Sequence, residues 1–162
     1  MNQSVHLSAV EQETVVDAVL SASRVLVAIA ARSLADAGEE VTLTQYRSLV
    51  VLASRGAQSM AALADAVAVT PATASRMCDR LVKKGLVRRR SDRHDRRAVS
   101  LALTETGRRL VDAVSSRRRL EIAELLEGIP PETQQSVVSA LTHLAQSAGE
   151  VPEQSWSTGW DL

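Results

Sequence analysis

Aromatic residues are scarce in this sequence, which has no phenylalanine, one tyrosine and two tryptophans among 162 residues. A hydrophobic core must therefore be assembled mainly from alanine, valine and leucine, a composition that favours helices over strands. The length is typical of a single domain and is sufficient to bury a core. These features predict one mainly helical domain.

Cysteine and histidine are also rare, since the chain has only Cys78 and three histidines. One cysteine cannot form an internal disulfide, and this set cannot supply a closed structural zinc site, so we expect no cofactor, no metal and a reducing cytoplasmic setting. The N-terminal residues lack the basic start and apolar run of a signal peptide. No stretch approaches the roughly 18 uninterrupted apolar residues of a membrane span, so we expect neither export nor a membrane partner.

Net charge is zero, because nineteen Lys and Arg balance nineteen Asp and Glu. The charges are nevertheless segregated: positions 76–97 hold ten basic and three acidic residues, a net charge of +7, whereas only acidic charges follow Arg119. Local charge governs contact with phosphates, so this window predicts a polyanion-binding element on a neutral scaffold. A solvated charged face is the alternative.

Apolar residues at steps of three and four predict a long helix from about residue 8 to 37, ended by Gly38. Thr44 is the expected N-cap of a second helix that runs to Arg55 and Gly56. Further helices are predicted over 60–67, 70–84, 104–128 and 132–148.

Two short apolar stretches, 86–90 and 98–103, flank the polar run 91–97 and predict a β-hairpin with a charged tip. The hairpin follows a short helix, a tight turn and a basic helix. This order is that of a winged helix-turn-helix, so the expected fold class is mainly α with a small β-hairpin wing.

The basic helix is the expected recognition helix, with Thr70 as its N-cap and Pro71 as its first residue. In such a motif the N-terminal residues of the second helix face base edges in the major groove, and cations further along meet phosphates. Taken singly, Thr73 and Ser75 are equally typical of ordinary helix surface. The predicted DNA-binding residues of this helix are Pro71, Ala72, Thr73, Ser75, Arg76, Arg80, Lys83 and Lys84.

The tip of the hairpin is expected to place arginines in a minor groove or against flanking phosphates. These wing residues are Arg93, Arg96 and Arg97. Asp92 and Asp95 would repel phosphate, so we expect them to position the arginines through ion pairs. A metal site formed by these carboxylates with His94 is a poor alternative among so many cations.

Six segments resemble, in order, the MarR family of bacterial transcriptional regulators over about residues 10–147. Asp-Arg-Arg in the wing followed by Leu-Thr-x-x-Gly is the most specific part. The segments are 43–47, 63–65, 69–76, 81–87, 95–98 and 103–107. Here Ala68 occupies the turn position where such motifs often have glycine, and a left-handed conformation there would cost a little.

The resemblance implies a homodimer with intertwined terminal helices that binds a pseudo-palindromic operator in double-stranded DNA. Residues 8–37 and 104–148 would be dimerisation helices around a DNA-binding lobe at 42–103, with a tail at 149–162. Most such regulators repress, and small lipophilic ligands or cysteine oxidation relieve DNA binding. The chain itself supports a dimer, because its terminal helices carry more apolar surface than a monomer of this size could cover.

The family's ligand pocket corresponds to the region around Tyr46 and Arg47, although both residues are equally typical of scaffold positions. Cys78 is most simply a small, half-buried apolar residue of the recognition helix. Neighbouring cations that lower its pKa would make it a modifiable thiol, which is the alternative.

The leading hypothesis is a transcriptional repressor that binds DNA sequence-specifically and is associated with the nucleoid. A winged-helix docking module or a non-specific architectural DNA-binding module is the alternative, and the basic window argues against docking. An enzyme is not expected, because the sequence shows no nucleophile and base pair, phosphate loop or paired carboxylates.

Overall fold

The computed structural model describes residues 8–38, 40–91, 99–153 and 156. The mainly helical fold class with a hairpin is confirmed within these ranges. The helices are α1 (Ala9–Asp36), α2 (Leu43–Arg55), α3 (Met60–Ala66), α4 (Pro71–Lys83), α5 (Glu105–Glu127) and α6 (Pro131–Ser147). The strands are β1 (Gln58–Ser59), β2 (Val87–Ser91) and β3 (Val99–Leu103).

Short hydroxyl side chains begin five of these helices by accepting a backbone N–H in the first turn, and the predicted starts at Thr70 and Thr104 are confirmed. The N-cap of α2 is Thr42, so the prediction of Thr44 is wrong. Thr42 and Gln45 form a reciprocal capping box, with the Gln45 N–H donating to Thr42 Oγ1 at 3.2 Å and the Thr42 N–H to Gln45 Oε1 at 3.0 Å. Two satisfied N–H groups favour this earlier start.

The turn between α3 and α4 contains Ala68 in a left-handed conformation, with φ of 54°. The N–H of Ala68 donates to the Asp65 carbonyl and that of Val69 to the Ala64 carbonyl, both at 3.1 Å, which fixes the tight reversal. An L residue in this conformation costs roughly 1–2 kcal/mol. The expected strain at this position is therefore present.

The wing forms part of a three-stranded antiparallel sheet with the order β1-β3-β2. β2 pairs with β3 from Val87 opposite Leu103 to Ser91 opposite Val99. On the other edge of β3, Gln58 of β1 lies opposite Leu101. The two-residue strand β1 was not predicted, and it ties the segment before α3 to the wing.

The core is aliphatic, as the composition predicts, and lies between α2, α3, α4, α5 and the sheet. Its largest fully buried side chains within these elements are Leu49, Val51, Leu52, Leu63, Leu81, Val87, Leu101, Leu103, Val111 and Val114, joined by Leu86 from the segment that leads into β2. Gly107 of α5 packs directly on the backbone of the segment that leads into β2. A Cβ at this position would lie 2.2 Å from the Leu86 carbonyl oxygen. The recognition helix, the wing and the base of α5 thus form one packed unit.

The terminal helices leave most of their apolar side chains uncovered. α6 has no buried residue, and α1 buries only Ile29, Ser33 and Leu34. By length and composition alone α1 could cross a membrane, since an 18-residue stretch of it has a mean hydropathy of 1.8, although charged residues such as Arg24 interrupt the helix. The exposed apolar residues of α1, α5 and α6 include Val15, Val16, Val19, Leu20, Val25, Val27, Leu120, Leu125, Val138, Leu141 and Leu144.

Candidate nucleic-acid interface and adjoining cavity

The recognition helix α4 has one face in the core and one face in solvent. Ala74 of α4 and Ala64 of α3 are both buried, which lets the two helices approach closely. Ser75 is half-buried. The other predicted DNA-binding residues are exposed: Pro71, Ala72, Thr73, Arg76, Arg80, Lys83 and Lys84. The structure therefore presents a continuous polar and basic helix face to solvent.

The exposed face of α4 continues onto the start of α2. A groove of about 260 Å³ has Thr73, Arg76 and Arg80 on one side and Thr42 and Thr44 on the other. The sequence reasoning missed these two α2 residues as part of the surface. Thr42 and Thr44 are both exposed, so they extend the polar surface of α4 onto α2.

An ion pair connects the recognition helix with the wing. Arg89 Nη2 of β2 lies 2.5 Å from Asp79 Oδ1 of α4, and both side chains are about half exposed. Arg88 and Arg90 of the same strand are also exposed, so the basic surface extends from α4 onto β2. The predicted wing residues lie outside the described residues: Asp92, Arg93, His94, Asp95, Arg96 and Arg97.

Cys78 is fully buried in the core rather than half-buried. Burial raises the pKa of its thiol above the ordinary value, and the positive charge of Arg89 only partly opposes this effect. The alternative, in which neighbouring cations lower the pKa of this thiol, is therefore wrong. A buried, protonated thiol is a poor nucleophile, which favours the packing role.

A second concave site lies between α1, α2, α5, α6 and residues 150–153. This cavity has a volume of about 750 Å³ and a mostly aliphatic wall. The predicted pocket residues Tyr46 and Arg47 both lie in that wall. Aliphatic lining residues are Leu26, Val50, Ile122, Leu141, Leu144, Ala145, Ala148 and Val151.

Two buried polar atoms in the cavity wall lack a hydrogen-bond partner among the described residues: the Tyr46 hydroxyl and Arg118 Nε. Burial raises the pKa of Tyr46, and hydrogen-bonding interactions with the nearby Ser115 and Arg118 side chains partly offset this effect, although neither side chain meets the distance and angle of a full hydrogen bond to the Tyr46 hydroxyl. A buried polar group without a partner costs roughly 1–3 kcal/mol. Both atoms therefore favour a bound polar group.

Arg47 does have a partner in the cavity wall. Its Nη1 and Nη2 donate to Glu150 Oε1 and Oε2 at 2.7 and 2.5 Å, a two-bond fork between guanidinium and carboxylate. This hydrogen bonding holds the pKa of Glu150 below its ordinary value and raises that of Arg47. Within the described ranges, no cluster of three or more Asp, Glu, His or Cys side chains could hold a metal ion.

Comparison with known proteins agrees with this architecture. The model of the MarR family matches residues 41–99, which run from the start of α2 through the helix-turn-helix and β2 to the first residue of β3. RV1404 from Mycobacterium tuberculosis, whose crystal structure is known, is 39% identical in sequence to this chain. The match covers 91% of this chain and 99% of RV1404, and the two structures superpose with a TM-score of 0.81. The chain belongs to the MarR family.

Other relatives of this MarR-family protein carry functional names. The HTH-type transcriptional repressor MdtR from Bacillus subtilis is 29% identical over 119 residues, which are 74% of this chain and 77% of MdtR. The crystal structure of NadR in complex with 4-hydroxyphenylacetate is 25% identical, with a TM-score of 0.62 and coverage of 90% and 97%. The protein is thus similar to transcriptional regulators, with repressors among its relatives.

Proposed function

We propose that this MarR-family protein is a transcriptional repressor that binds a pseudo-palindromic operator as a homodimer and is released by a small lipophilic ligand. The exposed polar and basic face of α4 carries the proposal, because it continues onto the arginines of β2 and the start of α2. A major groove about 12 Å wide accepts one helix, and small residues at its N-terminal end permit close approach to the bases.

Residues of α4 would divide the recognition of DNA between bases and backbone. Thr73 and Arg76 lie in the first two turns of α4, where base edges are read, and an arginine can donate two hydrogen bonds to guanine. Lys83 and Lys84 lie at the far end, where they would meet phosphates. The wing residues Arg93, Arg96 and Arg97 would add contacts in an adjacent groove, positioned by Asp92 and Asp95.

The uncovered apolar faces of α1, α5 and α6 support a homodimer. Leu20 of α1, Leu125 of α5 and Leu141 of α6 are each about half exposed, which is more apolar surface than a monomer ordinarily leaves in solvent. A second copy is the occupant that a twofold operator requires, since it would place two recognition helices roughly 34–36 Å apart. Residues 8–37 and 104–148 would form the dimer contacts.

The 750 Å³ cavity supports a small-molecule effector. An aliphatic wall suits a lipophilic body, while the unpartnered Tyr46 hydroxyl and Arg118 Nε can bind a polar end. Its walls come from α2 in the DNA-binding lobe and from α1, α5 and α6, so an occupant contacts both parts of the molecule. The 4-hydroxyphenylacetate bound by the similar NadR supports this assignment.

Selection of duplexes from a random pool at near-physiological salt tests the DNA-binding proposal. We expect enrichment of a pseudo-palindrome that binds one dimer. On the selected duplex, Arg76→Ala should lose roughly 1–3 kcal/mol of binding free energy and relax the preference at one base pair. Lys83→Ala should weaken binding to selected and unrelated duplexes alike. It should also reduce the slope of the logarithm of the binding constant against the logarithm of salt concentration by about one.

Arg117→Ala is the matched control, because Arg117 lies on α5 away from α4 and pairs with Asp36 at 3.5 Å. At a protein concentration where sedimentation shows this variant to be dimeric, its DNA affinity should equal that of the unchanged protein. Weak, salt-sensitive binding without enrichment would replace this proposal with the architectural or docking alternative.

Sedimentation of the protein and two variants tests the dimer. Leu20→Glu introduces a charge on the uncovered apolar face of α1, and we expect it to yield monomers. Ala61→Glu introduces the same charge on the exposed surface of α3 and should leave the dimer intact. A protein that sediments as a monomer, or a Leu20→Glu variant that stays dimeric, would contradict the assignment of this face.

A further inference from the structure

The chain reverses direction where α6 ends and returns to the cavity. The Gly149 N–H donates to the Gln146 carbonyl and the Glu150 N–H to the Ala145 carbonyl, both at 3.0 Å, with Gly149 at φ of 67°. These two bonds with a left-handed glycine form a Schellman motif. The reversal directs Glu150 toward α2 instead of into solvent.

Three contacts hold the returning segment on two different helices. Glu150 forms the fork with Arg47 of α2, and Arg55 of the same helix donates to the Gly149 carbonyl at 3.3 Å. Glu153 Oε2 lies 2.6 Å from Arg119 Nη2 of α5. The segment therefore links the helix-turn-helix lobe with α5.

Trp156 adds an apolar contact to these ion pairs. Its indole N–H donates to the Val151 carbonyl at 3.0 Å, and its half-buried ring packs against the core and lines the cavity. Residues 150–153 and Trp156, which we name the C-terminal strap, thus bring two carboxylates and an aromatic ring to one side of the cavity.

We propose that the C-terminal strap is a tethered occupant of the cavity, and that an anionic ligand must displace the Glu150 carboxylate from Arg47. The proposal rests on the effector role proposed for the cavity but not on the binding of DNA. A lipophilic monocarboxylate has the matching chemistry, because its charge can replace Glu150 on Arg47 while its body meets the aliphatic wall. One guanidinium fork cannot hold two carboxylates at once, so the two occupants compete.

Displacement of the strap would remove a connection between the two parts of the molecule. Arg47 belongs to the helix-turn-helix lobe, whereas Arg119 lies on α5 among the helices proposed to form the dimer. A ligand that takes the place of Glu150 binds α2 itself. Of its two ion pairs, the strap then keeps only that of Glu153 with Arg119, so ion pairs no longer connect α2 with α5. The lobe is then less constrained relative to α5, which provides a route from the cavity to the recognition helix.

The expected competition is moderate, because both ion pairs are partly exposed. The side chains of Glu150 and Glu153 are each 35% accessible. Exposed pairs are individually weak, but a short tether gives the strap a millimolar effective concentration. Removing both charges should therefore tighten the binding of a monocarboxylate roughly three- to tenfold.

Fluorescence of Trp156 tests the strap directly once Trp160→Phe has made it the only tryptophan. Two double variants are compared in that background. The strap variant carries both Glu150→Gln and Glu153→Gln, and the control variant carries both Glu124→Gln and Glu127→Gln. The control pair removes the same charge from α5, at glutamates for which no ion pair is found in the described part of the chain. Acrylamide should quench Trp156 more strongly in the strap variant than in the control.

Benzoate and the uncharged benzyl alcohol are the ligand probes. Benzoate should increase the quenching of Trp156 saturably in the control variant, and its Kd should be lower in the strap variant, whereas benzyl alcohol should not increase quenching. Equal quenching in the two variants, or no effect of benzoate up to about 20 mM, would overturn the proposal. DNA binding is not used in this assay, so a failure of the strap is distinguishable from a failure of the repressor assignment.

Discussion

Gly107→Ala is expected to destabilise the protein strongly, because this position lies against backbone rather than against a flexible side chain. The added Cβ would lie 2.2 Å from the Leu86 carbonyl oxygen, 3.1 Å from its carbonyl carbon and 2.9 Å from Leu103 Cδ1. Ordinary contacts begin near 3.4 Å, so α5 and the wing would have to separate by about 1 Å.

Two opposing effects set the size of the loss. Overpacking of this kind costs about 3 kcal/mol, while alanine gains about 1 kcal/mol over glycine inside a helix, so the expected net loss is about 2 kcal/mol. The added Cβ should also displace the start of the wing. The Leu86 carbonyl oxygen that it would contact also accepts a hydrogen bond from the Thr104 N–H. We therefore expect weaker DNA binding at temperatures where the variant remains folded.

Urea unfolding measured by circular dichroism at one fixed protein concentration gives the free energy of unfolding. Fixed concentration is needed because dimerisation itself contributes to stability. Gly128→Ala is the matched control, since φ there is −83° and no atom lies within 4 Å of the added Cβ. The control should be unchanged or stabilised by about 0.5 kcal/mol. A Gly107→Ala loss below about 0.5 kcal/mol would refute the close contact between α5 and the wing.

Ala68→Gly should raise the free energy of unfolding by about 0.5 kcal/mol, because relief of left-handed strain exceeds the added backbone entropy, whereas Ala61→Gly in α3 should lower it by about 1 kcal/mol. Cys78 should react far more slowly with a thiol reagent at pH 8 in the folded protein than in urea, since burial raises its pKa; equal rates would contradict the buried position. The pKa of Glu150 lies below its ordinary 4.5, so the strap should stay bound to Arg47 near pH 5 and be released as pH falls through the lowered value. The emission of Trp156 in the Trp160→Phe background measures this release. Glu150→Gln should abolish that transition, and a transition that survives would belong to another group.

Local signals explain which parts of the fold could be predicted. Thr70 followed by Pro71 satisfies two requirements of a helix start within two residues, so the beginning of the recognition helix is readable from sequence. Thr42 and Thr44 are a harder choice, because both are good caps and only the reach of Gln45 decides between them. β1 has no local pattern at all, since its two residues become a strand only by pairing with β3.

The candidate site also contains residues that could be predicted from the sequence and residues that could not. The exposed face of α4 follows from helical periodicity, so the positions of Arg76 and Arg80 in solvent were predictable. Glu150 appeared only as one charge in an acidic tail, because its partner Arg47 is 103 positions away. Tyr46 could be placed near a pocket by resemblance, but its unpartnered hydroxyl depends on how α5 packs over it. Contacts between residues far apart in the chain are not visible in sequence spacing. The strap and the polar groups of the cavity wall could therefore be identified only from the structure.

The continuity of α5 has a mechanical consequence. This helix has 23 residues, so it is a rod about 34 Å long. Gly107 rests on the wing at one end, Arg119 contacts the strap near the middle, and the far end reaches the uncovered apolar surface. A tilt of about 3° around Gly107 would shift the far end by about 1.5 Å, which is within the roughly 1–2 Å range of helix shifts in known switching proteins. A change of occupant beside the middle of such a rod is therefore amplified at its far end, on the uncovered apolar surface.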